Sequence, residues 1–172
     1  NLLEHLKNLG LEEDTIIVFT SDNGPYWKQP YIDKFNHRAA GELRGMKGDI
    51  YDGGHRIPHI VKWPRKIKPG TTNNSLNTLA NFYSTVADLL KLEVSSSDSY
   101  SIFSELINEV KIEEDRSIIH HSSEGHFSIR NGNWKMIEKL GSGGFSLPRK
   151  VEPTPGVMQE RLYNMKNDLS ER

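Results

Sequence analysis

Residues 15 to 20 read Thr-Ile-Ile-Val-Phe-Thr, and the run stops abruptly at Ser21-Asp22-Asn23-Gly24-Pro25. Four apolar residues in succession put hydrophobic side chains on both faces of a strand. Such a strand suits a sheet covered on both sides better than one with a wet face. Leu2, Leu3, Leu6 and Leu9 recur at helical spacing just before it, and Gly10 suits a helix C-terminus. Helix, short loop and apolar strand together predict a buried parallel sheet, so the expected fold class is α/β.

Downstream, Ile57 to Trp63 reads as a second short strand closed by Pro64, and residues 26 to 56 between the two read as irregular. Asn81 is the expected N-cap of a helix to about Lys91, with Phe82, Val86, Leu89 and Leu90 as its apolar stripe. Ser95-Ser96-Ser97-Asp98-Ser99 reads as a linker. A boundary there gives residues 1–94 as part of a large α/β domain and 95–172 as an antiparallel subdomain. A short helix from Ile102 to about Val110 opens the second part. Strands are expected at Ile118 to Ser122 and Leu162 to Met165. Asn131-Gly132-Asn133 between Phe127–Arg130 and Trp134–Ile137 signals a hairpin.

Composition narrows the function classes. Lys and Arg number 22 against 23 Asp and Glu, a net charge of -1, which gives no bulk attraction to nucleic acid. The longest apolar run, Ile16 to Phe19, is far too short to span a membrane. With no cysteine there is no disulfide, thiolate zinc site or cysteine nucleophile. Helical sequence starts at once and the C-terminus has no obvious stop, so the chain reads as part of a longer protein.

Four constellations could carry chemistry. Asp22-Asn23 offers a carboxylate and an amide oxygen just after a strand, hard donors for Ca²⁺ or Mg²⁺; the plainer reading is a turn. Residues 41–58 interleave Gly41, Gly45, Gly48, Gly53 and Gly54 with Arg44, Lys47 and Arg56. That composition suits an oxyanion site, or else a solvated surface loop. His120 and His121 face opposite sides of a strand and do not chelate one metal as a pair; with His126 they read as structural or exposed. Gly141-Ser142-Gly143-Gly144 has no helix after it and reads as a loop rather than a phosphate cradle. Trp27, Trp63 and Trp134 read as core or rim.

In chain order these pieces resemble the C-terminal part of the type I sulfatases, the arylsulfatase family of the alkaline-phosphatase-like superfamily. TIIVFTSDNGP resembles the family's strand and metal-ligand turn, and LRGMKGDIYDGGHRIPHIVKWP its most recognisable downstream signature. ANFYSTVADLL resembles the following helix, and FSIRNGNWKMI and RLYNMKNDLSER the terminal hairpin and last strand. Asp52, Asn81 and Ser99 stand where the family usually has Glu, often Asp, and Gly. The resemblance implies a sulfuric ester hydrolase with one Ca²⁺ and a formylglycine nucleophile made from a Cys or Ser, neither the nucleophile motif nor the first pair of metal ligands being present here. Ser146-Leu147-Pro148-Arg149 only echoes that motif, with its Arg one place early. Asp22 and Asn23 match the second pair of metal ligands. Lys47 matches the lysine that contacts the sulfate and supports its breakdown. Arg56 falls to fold support, and His121 to a substrate contact at the pocket rim. The implied substrate is a sulfated small molecule or sulfated glycan, in a periplasmic, secreted or lysosomal setting. Alternatives are a phosphodiesterase or phosphonate hydrolase of the same superfamily, and a non-catalytic module binding sulfated glycans.

Overall fold

Helix α1, Leu2–Asn8, starts where Asn1 caps it: its side chain accepts from the Glu4 amide at 3.0 Å while Glu4 reaches back to the Asn1 nitrogen at 3.2 Å. The computed structural model describes residues 1–107 and 116–172. The described residues group into two compact units, Asn1–Thr20 with the chain from Pro58 onward, and Ser21–Ile57 with the chain that ends at Arg172. Residues 21–57 thus join the C-terminal sheet, an association that a linear boundary at 94/95 does not express.

In the first unit, β1 (Ile17–Thr20) pairs with β2 (His59–Lys62), with Ile17 opposite Lys62 and Thr20 opposite His59. The pairing is antiparallel, which corrects the parallel sheet expected at residues 15–20. The chain leaves β1 at Ser21, folds residues 21–57 into the other unit and re-enters at Pro58 running the opposite way. A parallel return would need a crossover on the same sheet. The Thr20 hydroxyl donates to the Pro58 carbonyl at 2.8 Å and closes the ribbon's mouth.

Helix α4 (Asn81–Leu89) has Ala80, not Asn81, at its cap. Asn81 is fully buried: its oxygen accepts from the Tyr100 amide at 3.1 Å and its NH₂ donates to Asn77 at 2.9 Å. The helix buries Asn81, Ser84, Thr85 and Ala87, and leaves Phe82 and Leu90 exposed. Ser84 and Thr85 hold Ser99 and Ile102 by hydrogen bonds, so the serine-rich stretch ends docked on α4. Phe82, Val86 and Leu89 line an apolar cleft of ≈ 430 Å³ with Val18 and Val61. The helix expected from Ile102 begins as α5, Phe103–Leu106, and its remainder lies outside the described residues.

The second unit carries α2 (Gln29–Phe35), the single turn α3 (Asp52–His55) and a four-stranded antiparallel sheet. Its strands, in spatial order, are β3 (Ser117–His121), β4 (Phe127–Asn131), β5 (Trp134–Ile137) and β6 (Arg161–Asn164). The expected hairpin forms with Asn131 opposite Trp134, leaving Gly132-Asn133 as the loop. Gly132 sits at φ 51 in the first central position, where glycine suits a tight hairpin. One sheet face carries the row Ile119, Ile129, Met136 and Leu162, all exposed. The opposite face supplies Lys135 and Ile137, which pack against the glycine-rich segment.

Candidate active site

The acid–amide turn and the glycine-rich segment lie in the same unit and are tied backbone to backbone. The Gly24 amide donates to the Gly54 carbonyl at 2.9 Å, and the Lys47 amide donates to the Pro25 carbonyl at 2.9 Å. Gly24 presses so closely on Gly53 and Gly54 that a side chain at 24 would overlap their backbone. Gly53 and Gly54 in turn pack on the carbonyls of Arg44, Gly45, Met46 and Asp49. Lys47 lies between Gly45 (φ 83) and Gly48 (φ 85), conformations that L side chains rarely adopt. This close packing is what the glycines of the signature are for.

A buried ionic network holds the knot from below. Lys135, with no exposed surface, donates to Asp52 Oδ1 at 2.8 Å, pairs with Glu171 at 2.7 Å and donates to the Ile50 carbonyl at 3.0 Å. Arg130 meets Asp52 Oδ2 at 2.9 Å, and Glu171 accepts from the Asp52 amide at 2.7 Å. Burial alone would push the Asp52 carboxyl up, but Lys135 and then Arg130 outweigh it and hold it below its ordinary value. Burial dominates at Glu171 and pushes its carboxyl up despite Lys135. Asp49, also fully buried, accepts from the Met46 amide at 2.9 Å and the Ser146 amide at 2.9 Å, fixing the turn around Lys47.

Above this base, Asp22 and Lys47 are exposed and Asn23 half-buried. Asn23 donates from its NH₂ to the Gly24 carbonyl at 3.3 Å, which leaves its amide oxygen as the free acceptor. A carboxylate and an amide oxygen on a clamped turn are hard donors that fit Ca²⁺ as a partial shell. Among the described residues no group of three His, Asp or Glu is placed to hold a metal by itself. His121 is exposed on β3, its Nδ1 2.8 Å from the Ser122 carbonyl.

Sequence reasoning passed over His55 and read His120 as structural or exposed. Their rings lie 4.1 Å apart, and both Nε2 atoms are buried without a hydrogen-bond partner among the described residues. Burial lowers His55 to about 4, with Lys135 adding to the effect. Burial, then His55 and Lys135, lowers His120 to about 3. Both are therefore neutral near pH 7. The Lys135 network was missed as well; the one signal for it was a lysine alternating with apolar residues at an inward position of β5. Gly141–Gly144 forms the loop expected and packs on Gly48, with the Ile50 amide donating to the Ser142 carbonyl at 2.8 Å.

The family model described as Sulfatase matches residues 1–92. The N-acetylgalactosamine-6-O-sulfatase of Bacteroides thetaiotaomicron is 30% identical over 99% of this chain and 34% of its own length. A solved structure from work on the metabolism of multiple glycosaminoglycans by the same bacterium aligns over 99% of this chain and 37% of its own, with TM-score 0.81 and 29% identity. The crystal structure of Ps i-CgsB in complex with k-i-k-neocarrahexaose aligns over 99% and 34%, with TM-score 0.71 and 25% identity. The chain thus spans about a third of the length of the relatives it matches.

Proposed function

Because the chain belongs to the sulfatase family, with the fold of its C-terminal portion, we propose that the whole protein hydrolyses sulfate esters. In this reading Asp22 and Asn23 supply part of a calcium shell and Lys47 meets the sulfate. The observation that carries it is the pair of backbone bonds from Gly24 to Gly54 and from Lys47 to Pro25, which tie the acid–amide turn to the lysine. A bound calcium ion would polarise a sulfate oxygen and favour the nucleophile's attack on sulfur. The nucleophile, a formylglycine in this reading, lies outside these residues, as do the other metal ligands.

The chain's own contribution is positioning and charge. Asp22 offers one anionic oxygen, and Asn23 one neutral oxygen whose direction is set by its bond to Gly24. Lys47 offers an ammonium group on a turn that Asp49 and Pro25 hold still, so negative charge gathering on the leaving oxygen finds a donor already in place. His121 is proposed as a contact at the rim. The name of one relative and the oligosaccharide bound to another support a sulfated glycan as substrate.

The test is sulfate release by the full-length protein from a sulfated sugar, with and without a calcium chelator, beside phosphate release from a phosphodiester and a phosphonate ester. Calcium-dependent sulfate release is expected. Turnover of the phosphorus esters alone would move the protein elsewhere in the superfamily, and glycan binding without turnover would make it a binding module.

A further inference from the structure

Residues 26–38 follow the acid–amide turn directly and bring together Tyr26, Trp27, Tyr31 and Phe35 with Lys28, Lys34 and Arg38. The aromatic rings are not spent on a core: Tyr26 is 45% exposed, Tyr31 42% and Phe35 56%. They are nonetheless held in place. Tyr26 meets Phe145 edge to face, with ring centroids 5.6 Å apart and planes at 87°. The Phe145 ring lies on Gly48, where an added Cβ would come within 3.0 Å of two ring carbons. The Trp27 indole donates to the His37 carbonyl at 2.8 Å and lies 5.5 Å from Tyr31 and 6.0 Å from Phe35.

The position of the Tyr26–Phe145 pair is set by bonds already described. Tyr26 follows Pro25, whose carbonyl accepts from the Lys47 amide, and Phe145 covers the glycine that follows Lys47. Cations border the same rings. Lys28 Nζ stands 5.1 Å from the Tyr26 centroid, and Lys34 Nζ 5.2 Å from that of Phe35. The hydrogen bond that Lys28 donates to Tyr26 favours its charged form and raises its pKa, against a smaller opposing effect from the charge of Arg149.

Fixed, half-exposed rings bordered by cations match one ligand chemistry closely. A pyranose ring has faces lined by C–H bonds that lie flat on an aromatic face, and its sulfate groups pair with ammonium and guanidinium. An apolar protein surface would have to strip water from the cations. We propose that Tyr26 and Phe145, flanked by Lys28, form a stacking platform for the sugar ring next to the one whose sulfate meets Lys47, with the Trp27–Tyr31–Phe35 face of α2 carrying the chain onward. The proposal takes its ligand class from the sulfatase reading and adds to it the selection of an oligosaccharide over a monosaccharide.

The experiment is calorimetric binding to the full-length protein, using sulfated monosaccharides and tetrasaccharides of chondroitin sulfate and κ-carrageenan. At least one tetrasaccharide binds roughly tenfold more tightly than its monosaccharide, the size of one good aromatic contact. The double variant Tyr26→Ala, Phe145→Ala loses that preference, and Tyr26→Phe keeps it. If the double variant melts early, Tyr31→Ala and Lys28→Ala, at exposed positions, read the same loss. No size preference in the wild type, or a preference unchanged in the alanine variants, overturns the platform. A preference that is lost in those variants, in a protein that releases no sulfate, leaves the platform standing and sinks the hydrolytic reading instead.

Discussion

In the proposed reading Lys47 carries the most chemistry for one side chain. Its turn is fixed by Asp49, by Pro25 and by two glycines at positive φ, so the ammonium group is offered without a large reorganisation cost. Removing a well-placed oxyanion donor typically costs on the order of 10²–10³ in rate. Lys47→Ala in the full-length protein is therefore expected to lower kcat by that factor while leaving thermal unfolding unchanged. Lys47→Arg should recover only part, because a planar fork does not replace a compact charge. An unchanged kcat in Lys47→Ala would return the residue to the solvated surface. His55 and His120 lead to a pH prediction. Their folded values, about 4 and about 3, lie below the ordinary 6.5, so between those limits the unfolded chain binds protons that the native pair refuses. Stability then falls with acidification from about pH 6.5 toward 4, by up to about 1.4 kcal/mol per pH unit per histidine. Glu171, with its carboxyl raised, works the other way once pH drops below its folded value. Denaturant titrations across this range isolate the histidine effect as the difference between wild type and His120→Asn, whose slope should be shallower; equal slopes would refute the assignment.

At the scale of elements, the glycine-rich segment works as a knot whose turns touch through backbone. Gly54→Ala would place a methyl 2.5 Å from the Asp49 carbonyl and 2.7 Å from that of Met46, and neither can yield without moving the Lys47 turn. Overpacking of this kind costs about 1–3 kcal/mol, so a lowered denaturation midpoint together with lost sulfate release is expected. Lys135→Met should cost more, about 3–5 kcal/mol, since it strands Asp52 and Glu171 together without their shared cation; a midpoint within error of wild type would mean the network is not built as described. The strands and the hairpin were legible because alternation and Asn-Gly are local signals, and the acid–amide turn because it interrupts an apolar run. The direction of β1 was not legible, because a run of apolar residues does not tell which neighbour it pairs with or how far the chain travels before returning. Helix α2 could have been found: Pro30 lies in its first turn and Asn36 ends it at φ 47. The ionic base left only one trace, the inward lysine of β5, since Asp52 and Glu171 are far in sequence from the hairpin that carries Arg130 and Lys135, and each alone reads as a surface charge.

For the whole molecule, the question is what 172 residues can do without the rest of a sulfatase. Asp22 and Asn23 offer two oxygens where calcium takes 6–8, and among the described residues no further acid or imidazole completes a three-ligand group. No cysteine is present to become a nucleophile. The first unit is also under-covered. Its two-stranded ribbon leaves Phe19 63% and Ile60 60% exposed, and beside it the apolar cleft stands open between β1, β2 and α4. Open strand edges and apolar faces of that kind associate or bind hydrophobic dyes. The second unit has a four-stranded sheet and a dense hydrogen-bonded knot, and should hold together better. Residues 1–172 expressed alone are therefore expected to release no sulfate from an aryl sulfate, to bind calcium weakly by calorimetry, and to bind a hydrophobic dye. In hydrogen exchange, the amides of Ile50, Gly53 and Gly54, each bonded within the knot, should be protected well beyond those of β1 and β2. Equal protection in the two units, or robust turnover by the isolated chain, would show that the ribbon and the turn are complete as they stand and that the missing ligands are not needed.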